Sequence, residues 1–252
     1  MKRFAIISDV HSNLDALLAV FEDFEQQGVE KVYCLGDMVG YGAHPREVVD
    51  IAMSSFNFVI RGNHDDAVTF KVPKKFNDTA ARAVYWTRDK LKPNDYSRQS
   101  AFKRWDFLKK KLKDKMIIGN MIFAHGTPDS YFRYIDDERT AAQVLSKFTA
   151  GVKTLFVGHS HIPGIFEESN GAVRFLKWTT KDLPKLHRNR MIINVGSVGQ
   201  PRDGDYRACY VVVAGDVFWY RRVEYDVELA VKAIYCRPGL PNDCGNRLRY
   251  GS

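Results

Sequence analysis

Five short polar segments of this sequence share one placement, since each comes directly after an apolar run that predicts a β-strand. In open α/β sheets, binding sites form at the carboxyl ends of the strands, so we expect the five segments to converge on one crevice. This placement predicts an α/β chain with a single polar site. The segments are Asp9-Val10-His11, Gly36-Asp37, Gly62-Asn63-His64-Asp65, His125-Gly126 and Gly158-His159-Ser160-His161.

The histidines are concentrated in these segments. Of the 7 histidines in the chain, five follow predicted strands: His11, His64, His125, His159 and His161. A single histidine is more often a packed or surface residue than a ligand, but five in equivalent places argue against simple packing. Imidazole, carboxylate and amide oxygen together suit ions such as Mn, Fe, Co or Zn, and no cysteine accompanies them. The residues therefore predict a multi-histidine metal site, while their spacing leaves the number of ions open.

The order of the predicted elements gives the fold class. Strands at 3–8, 32–35 and 58–60 alternate with helical patterns, which indicates a parallel sheet with right-handed crossovers. From residue 116 onwards the chain is richer in antiparallel strands, with turn dipeptides such as Gly119-Asn120 between apolar runs. We expect an α/β fold in which a two-sheet β-sandwich is flanked by helices. Residues 1–252 are expected to form one domain, with a helical insertion at about 75–112.

The net charge bears on the partners of the chain. The formal charge is +8, which raises a nuclease as an alternative function. Much of this excess lies in lysines between 109 and 115, at the end of a predicted helix, where they suit the helix dipole and solvent. The sequence lacks a clear basic and aromatic groove of the kind that single-strand binders use. Nucleic acid is therefore not the favoured partner.

The compartment is predicted from what the sequence lacks. No stretch approaches the roughly 20 apolar residues needed to cross a bilayer. Lys2 and Arg3 lead directly into a strand, without the apolar core of a signal peptide. We expect a cytoplasmic protein with no membrane partner, and the sequence leaves a homo-oligomer open. Cys236 and Cys244 flank a turn and could pair under oxidation, which the cytosol disfavours.

The ordered series DVH, GD, GNHD, HG and GHSH resembles the calcineurin-like metallophosphoesterase superfamily. The likeness is to its small prokaryotic branch, which includes YfcE-like and dinucleoside-tetraphosphatase-like proteins. The motifs span residues 9–161, and the segment NVGSVGQPRDGD extends the likeness to residue 205. The resemblance implies the four-layer αββα fold of that superfamily and two divalent metal ions. Manganese is favoured, with Fe, Zn, Co, Ni or Mg as alternatives.

The resemblance also implies a role for each matching residue. His64 would act as a general acid or charge stabiliser, oriented by Asp65 or Asp66. A metal-bridging hydroxide would attack phosphorus in line. Seven residues would be the metal ligands: Asp9, His11 and His161 for one ion, Asn63, His125 and His159 for the other, and Asp37 as the bridge.

The substrate side of the site departs from the wider superfamily. Serine/threonine protein phosphatases carry GDxVDRG after the second strand, whereas residues 36–42 here read GDMVGYG. Gly40 and Tyr41 replace the aspartate and arginine, which argues against protein phosphatase activity. The residues expected to contact substrate are Asn63, His64, Tyr41, Arg61 and Arg202, and Tyr41 is evenly balanced against simple packing.

The leading hypothesis is a dimetal-dependent hydrolase of phosphoester bonds. Its expected substrate is a small nucleotide-like compound with a phosphodiester or phosphoanhydride bond. A catalytically silent scaffold of the same fold that binds protein partners is the alternative from another class. Such a scaffold would be expected to have lost ligands, whereas every motif position here, including His64, is filled.

Overall fold

The computed structural model describes residues 2–178, 185–186 and 188–252. Within them the strands are β1 (Arg3–Ile7), β2 (Val29–Cys34), β3 (Phe58–Val59), β4 (Lys115–Ile118), β5 (Met121–Ala124), β6 (Thr154–Val157), β7 (Gly164–Ser169), β8 (Ala172–Leu176), β9 (Met191–Asn194), β10 (Ala208–Ala214) and β11 (Val217–Val223). The helices are α1 (Leu14–Gln27), α2 (Pro45–Ser55), α3 (Asn63–Thr69), α4 (Asp78–Leu91), α5 (Gln99–Lys110), α6 (Glu138–Leu145), α7 (Val227–Tyr235) and α8 (Asp243–Asn246), followed by a 3-10 helix (Arg247–Tyr250).

The strands of the described residues form two mixed sheets. The first has the order β11-β10-β1-β2-β3, in which β1, β2 and β3 are parallel. The second has the order β4-β5-β6-β9-β7-β8, in which β5, β6 and β9 are parallel. The expected crossovers in the first half and hairpins in the second half are both present. As a result, β1, β2, β3, β5 and β6 all deliver their carboxyl ends to one edge of the sandwich.

Successive side chains along each strand point to opposite faces of the sheet, so the buried apolar residues are divided between the two faces. Ile6 and Tyr33 point between the sheets, where they pack with Phe123 and Phe156 of the second sheet. Ile7, the next residue of β1, lies instead in the cluster that helices α1 and α2 cover. The outer face of the second sheet packs against α6 through a separate cluster. The layers are therefore helix, sheet, sheet and helix, as the sequence predicted.

Helix α1 shows how local sequence sets the element boundaries. The side chain of Asn13 accepts a hydrogen bond from the Ala16 amide (3.2 Å), and Gly28 ends the helix with a φ of +63°. Asparagine before the first turn and glycine after the last turn are residue types that favour these positions. Helix α3, which begins at Asn63, was not predicted, because its seven residues follow a polar break and lack an apolar period.

Helices α4 and α5 occupy the segment expected to be a helical insertion, and its status as an insertion stays a prediction. Helix α8 and the 3-10 helix follow α7 in the C-terminal part. Cys236 is exposed and Cys244 is buried, and both are free thiols. Among the described residues, no helix has the length and apolar character needed to span a membrane.

Asp23 is a buried carboxylate that ties α1 to the first sheet. It accepts hydrogen bonds from the Tyr210 hydroxyl (2.6 Å) and from Arg221 (2.7 and 2.9 Å). We expect Asp23→Asn to lower the free energy of unfolding by about 2 kcal/mol at pH 7, since charge-assisted hydrogen bonds are lost. Urea denaturation would measure this, with the exposed Glu22→Gln on the same helix as control.

The stability difference between the wild type and Asp23→Asn should also depend on pH. Burial alone would raise the pKa of Asp23, but Arg221 and Tyr210 outweigh burial and hold it below its usual value. A depressed pKa stabilises the fold above the unfolded value of about 4, and this contribution is lost as the pH falls through the folded pKa. The difference between wild type and Asp23→Asn should therefore shrink below about pH 4. A constant difference down to pH 3 would contradict this account.

Candidate functional site

The loops at the common strand edge have an unusual backbone conformation. Eight described residues other than glycine have positive φ angles, and seven of them lie in these loops, the exception being Asn170 in a hairpin turn. Such angles cost non-glycine residues of the order of 1–3 kcal/mol each and cluster at functional sites. The seven are Asp9, His11, Ser12, Asp37, Tyr41, His159 and His161.

The first of two donor groups consists of Asp9, His11 and His161, all of which are buried. The Nε2 atoms of His11 and His161 are 3.2 Å apart, and Oδ1 of Asp9 is 3.2 Å from Nε2 of His161. Ligands that share one ion at bonds of about 2.1 Å lie about 3.0–3.4 Å from each other. These separations therefore fit a shared cation.

The second group consists of Asp37, His125 and His159, with the amide of Asn63 beside them. Nε2 of His125 lies 3.1 Å from Nδ1 of His159 and 3.0 Å from Oδ1 of Asn63. These four side chains come from three parallel strand ends and from the first residue of α3. The group has the same compact geometry as the first.

Asp37 lies between the two groups. Its Oδ2 atom is 3.4 Å from Nε2 of His125 and 3.7 Å from Nε2 of His11, so one oxygen faces both groups. Its Oδ1 atom accepts a hydrogen bond from the His64 amide (2.8 Å). A Cβ at position 62 would collide with Oδ1 of Asp37, so only glycine lets the third strand end approach this carboxylate.

Backbone carbonyls orient three of the imidazoles. Nδ1 of His11 faces the Val39 carbonyl (3.2 Å), and Nδ1 of His125 faces the Leu35 carbonyl (2.9 Å). Nδ1 of His161 faces the Gln200 carbonyl (2.5 Å). With the proton on Nδ1, each ring presents an unprotonated Nε2 to the donor group, as metal-binding histidines usually do.

The charges in the two groups also fit cations. Oδ1 of Asp9 is buried and has no hydrogen-bond partner among the described residues. Burial would raise the pKa of Asp9, but His161 outweighs it and the pKa is lowered. Burial lowers the pKa of His159 to about 3, so this ring is neutral at pH 7. Burial also acts to lower the pKa of His125, but Asp37 outweighs burial and raises it to about 9. The buried carboxylates therefore favour a positive charge at this edge, which a divalent ion can supply.

Asp65 was predicted to orient His64, but in the structure its carboxylate has a different role. Its Oδ2 atom accepts hydrogen bonds from the amides of Asp37 (2.8 Å) and Gly62 (3.0 Å). Its Oδ1 atom accepts from the amides of Met38 (3.0 Å) and Val39 (3.3 Å). All of its hydrogen bonds go to the backbone, so Asp65 fixes the loop that carries Asp37. We correct the prediction accordingly.

His64 lies beside the first donor group. Its ring centroid is 4.9 Å from that of His11, 4.5 Å from that of Tyr41 and 4.9 Å from that of Phe76. Nδ1 of His64 has no hydrogen-bond partner among the described residues, and the Asp66 carboxylate instead accepts from Tyr131. Burial lowers the pKa of His64 to about 4, which makes the ring neutral at pH 7.

A cleft of about 410 Å³ opens beside His64 and His159. Of the residues predicted to contact substrate, Tyr41, Asn63, His64 and Arg202 line it. The sequence analysis missed the other lining residues, which have no motif around them: Lys75, Phe76, Asn77, Ala80, Phe132, Tyr134 and Arg247. The only sequence signal for these residues was the presence of aromatic side chains after the GNHD and HG motifs.

Arg61 does not line the cleft, contrary to the prediction. Its guanidinium donates to the carbonyls of Leu108 and Lys109 (3.2 Å each) at the end of α5. It also stacks over the Phe70 ring at 5.4 Å. Arg61 therefore anchors α5 to the third strand end, and its hydrogen-bonding capacity is used within the fold.

The sequence matches the calcineurin-like phosphoesterase superfamily domain over residues 1–216. It is 35% identical over 257 residues to an uncharacterized protein of Methanocaldococcus jannaschii, an alignment that covers 98% of this chain and 97% of that protein. A metallophosphoesterase from Sphaerobacter thermophilus has the same fold with a TM-score of 0.84 and 34% identity, over 100% of this chain and 99% of that one. A hypothetical protein from Pyrococcus horikoshii shares the fold at a TM-score of 0.75 and 20% identity, with coverage of 100% and 99%.

The comparisons confirm the superfamily and the fold that the motifs indicated. The structural neighbours also include YfcE from E. coli and a putative diadenosine tetraphosphatase, at 16% and 17% identity.

The hydrogen bonds of Asp65 predict a large effect for a small change. Asp65→Asn replaces a carboxylate that accepts hydrogen bonds from four backbone amides with a carboxamide, whose NH2 group can only donate. We expect a loss of about 2–4 kcal/mol in unfolding free energy and weaker Mn²⁺ binding, because the Asp37 loop loses its support. Denaturation and calorimetric titration would measure both. Asp66→Asn is the matched control, since its carboxylate accepts only from Tyr131, and equal losses in the two variants would contradict the assignment.

Proposed function

Because this chain belongs to the calcineurin-like phosphoesterase superfamily, we propose that it is a dimetal-dependent hydrolase of phosphoester bonds. The observation that supports this most directly is the position of Asp37, whose Oδ2 faces both donor groups at 3.4 and 3.7 Å. The proposed ligands are Asp9, His11 and His161 for one ion, Asn63, His125 and His159 for the other, and Asp37 for both. The proposed substrate is a small nucleotide-like compound with a phosphodiester or phosphoanhydride bond.

Two divalent cations held by these residues would supply Lewis acidity and an activated water. Imidazole nitrogens with carboxylate and amide oxygens favour manganese, with Fe, Zn, Co, Ni or Mg as alternatives. We propose the cytoplasm as the compartment, where such ions are available and the thiols stay reduced.

His64 is proposed to act on the leaving group. Its ring lies at the border between the donor groups and the cleft, and a neutral ring carries one N–H to donate. The N–H can stabilise the charge that develops on the leaving oxygen. Arg202 lines the same cleft, and we propose that it binds a phosphate oxygen of the substrate.

The two alternatives have less support from the structure. The scaffold hypothesis requires degraded ligand groups, whereas both groups here are complete and compact. The nuclease hypothesis drew on the lysines between 109 and 115. None of these lysines lines the cleft, and Lys109 instead lies over the Phe70 ring at 5.9 Å.

The test of this proposal is hydrolysis of bis-p-nitrophenyl phosphate, p-nitrophenyl phosphate and diadenosine tetraphosphate with added Mn²⁺. We expect turnover of at least one, abolished by chelator and by Asp37→Asn. Elemental analysis should find two Mn²⁺ per chain in the wild type and fewer in Asp37→Asn. Absence of both turnover and metal uptake would exclude the enzyme and favour the scaffold.

His64→Gln separates catalysis from metal binding. We expect kcat to fall by a factor of about 10²–10⁴, the usual contribution of a general acid, while the Mn²⁺ content stays at the wild-type value. Steady-state kinetics with elemental analysis would measure this. If Mn²⁺ is lost together with activity, His64 has a role in holding the donor groups instead.

A further inference from the structure

Two arginines line the cleft, and neither is paired with an Asp or Glu side chain of the described residues. Arg202 is half-buried, its Nε has no hydrogen-bond partner, and its terminal nitrogen donates to the Gln200 side chain (2.8 Å). Arg247 is also half-buried, and its Nε donates to the backbone oxygen of Ser252 (2.7 Å). Arg202 has no counter-ion among the described residues. A half-buried guanidinium without a counter-ion favours an anionic ligand.

The two guanidinium groups belong to the same cleft, where their positive charges add. Both arginines line this cleft together with Lys75. Burial lowers the pKa of Arg247, and the positive charge of the neighbouring Arg202 lowers it further. The cleft therefore concentrates positive charge beside the donor groups.

The cleft also has aromatic walls. The Phe76 ring lies 4.9 Å from the His64 ring, and Tyr134 stacks on His159 at 3.7 Å with an angle of 13° between the rings. Lys75 lies 4.6 Å above the Phe132 ring at the rim. A planar group can stack here while its charged part lies against the arginines.

We propose that Arg202 and Arg247 form a subsite for a second phosphate group, so that the preferred substrates are nucleotide-like compounds with two or more linked phosphates. This inference rests on the proposed function, and it deepens it by naming the substrate class. A phosphodiester carries one negative charge, whereas linked phosphates offer further anionic groups for the two arginines that line the cleft.

Arg247 comes from outside the part of the chain that matches the superfamily domain. That match ends at residue 216, and Arg247 begins the 3-10 helix that packs against Tyr41 and α4 through a separate core cluster. The C-terminal helices therefore add a wall to a site that the two sheets build.

The experiment compares Arg247→Gln with Arg249→Gln, its neighbour on the same 3-10 helix. Arg249 pairs with Glu228 at 2.6 and 2.8 Å and does not line the cleft, which makes it a matched control. We expect Arg247→Gln to raise the KM for diadenosine tetraphosphate roughly tenfold more than the KM for bis-p-nitrophenyl phosphate, as for the loss of one charge-assisted contact. Arg247→Lys, which keeps the charge, should lie between this variant and the wild type.

A binding measurement without turnover gives a second readout. Calorimetry of diadenosine tetraphosphate in the presence of chelator should show a Kd roughly tenfold weaker for Arg247→Gln than for the wild type and for Arg249→Gln. Unchanged binding, or an equal rise in KM for both substrates, would overturn the subsite. Loss of binding in a protein that hydrolyses neither substrate would support the subsite and reject the proposed function.

Discussion

The structure depends on the burial of seven polar donor side chains at one edge of the β-sandwich. None of Asp9, His11, Asp37, Asn63, His125, His159 and His161 is more than 5% exposed. A buried charge or polar group without a partner costs several kcal/mol, so this edge must be organised to satisfy them. Three of the four imidazoles, those of His11, His125 and His161, meet backbone carbonyls, and the fourth, His159, lies against His125. The rest of the fold positions the strand ends that make these contacts.

The loops that hold the donors are strained and strongly restrained. Five of the seven donors have left-handed backbone angles, which the native structure must offset elsewhere. The offset comes from backbone hydrogen bonds between neighbouring strand ends, such as the Asp9 amide with the Gly36 carbonyl (2.9 Å) and the His11 amide with the Asp37 carbonyl (2.9 Å). Asp65 adds its four amide contacts to the same loops. The donors are therefore placed by the backbone before any ligand acts on them.

The sequence was most informative where function and fold use the same local pattern. Apolar runs that end in Asp, His or Asn predicted both the sheets and the donor residues, because strand ends and donors coincide. The roles of Asp65 and Arg61 could not be predicted, since their partners are backbone groups that only the folded chain brings near. Arg247 and Tyr134 had no motif around them, and their place in the cleft follows from packing between distant segments.

The position of β1 in its sheet has a consequence for the order of events during synthesis. The strand that leads into Asp9 pairs on one side with β10, some 200 residues later in the chain, and the Asp9 carbonyl accepts from Gly199 and Ser197. At about 5–20 residues per second, the ribosome needs roughly 10–40 s between these segments. During that time the first strand has an unpaired edge, and the Asp9 loop has its contacts to residues 36 and 37 but not those to Ser197 and Gly199. An apolar strand edge therefore stays open in the nascent chain until β10 closes the sheet.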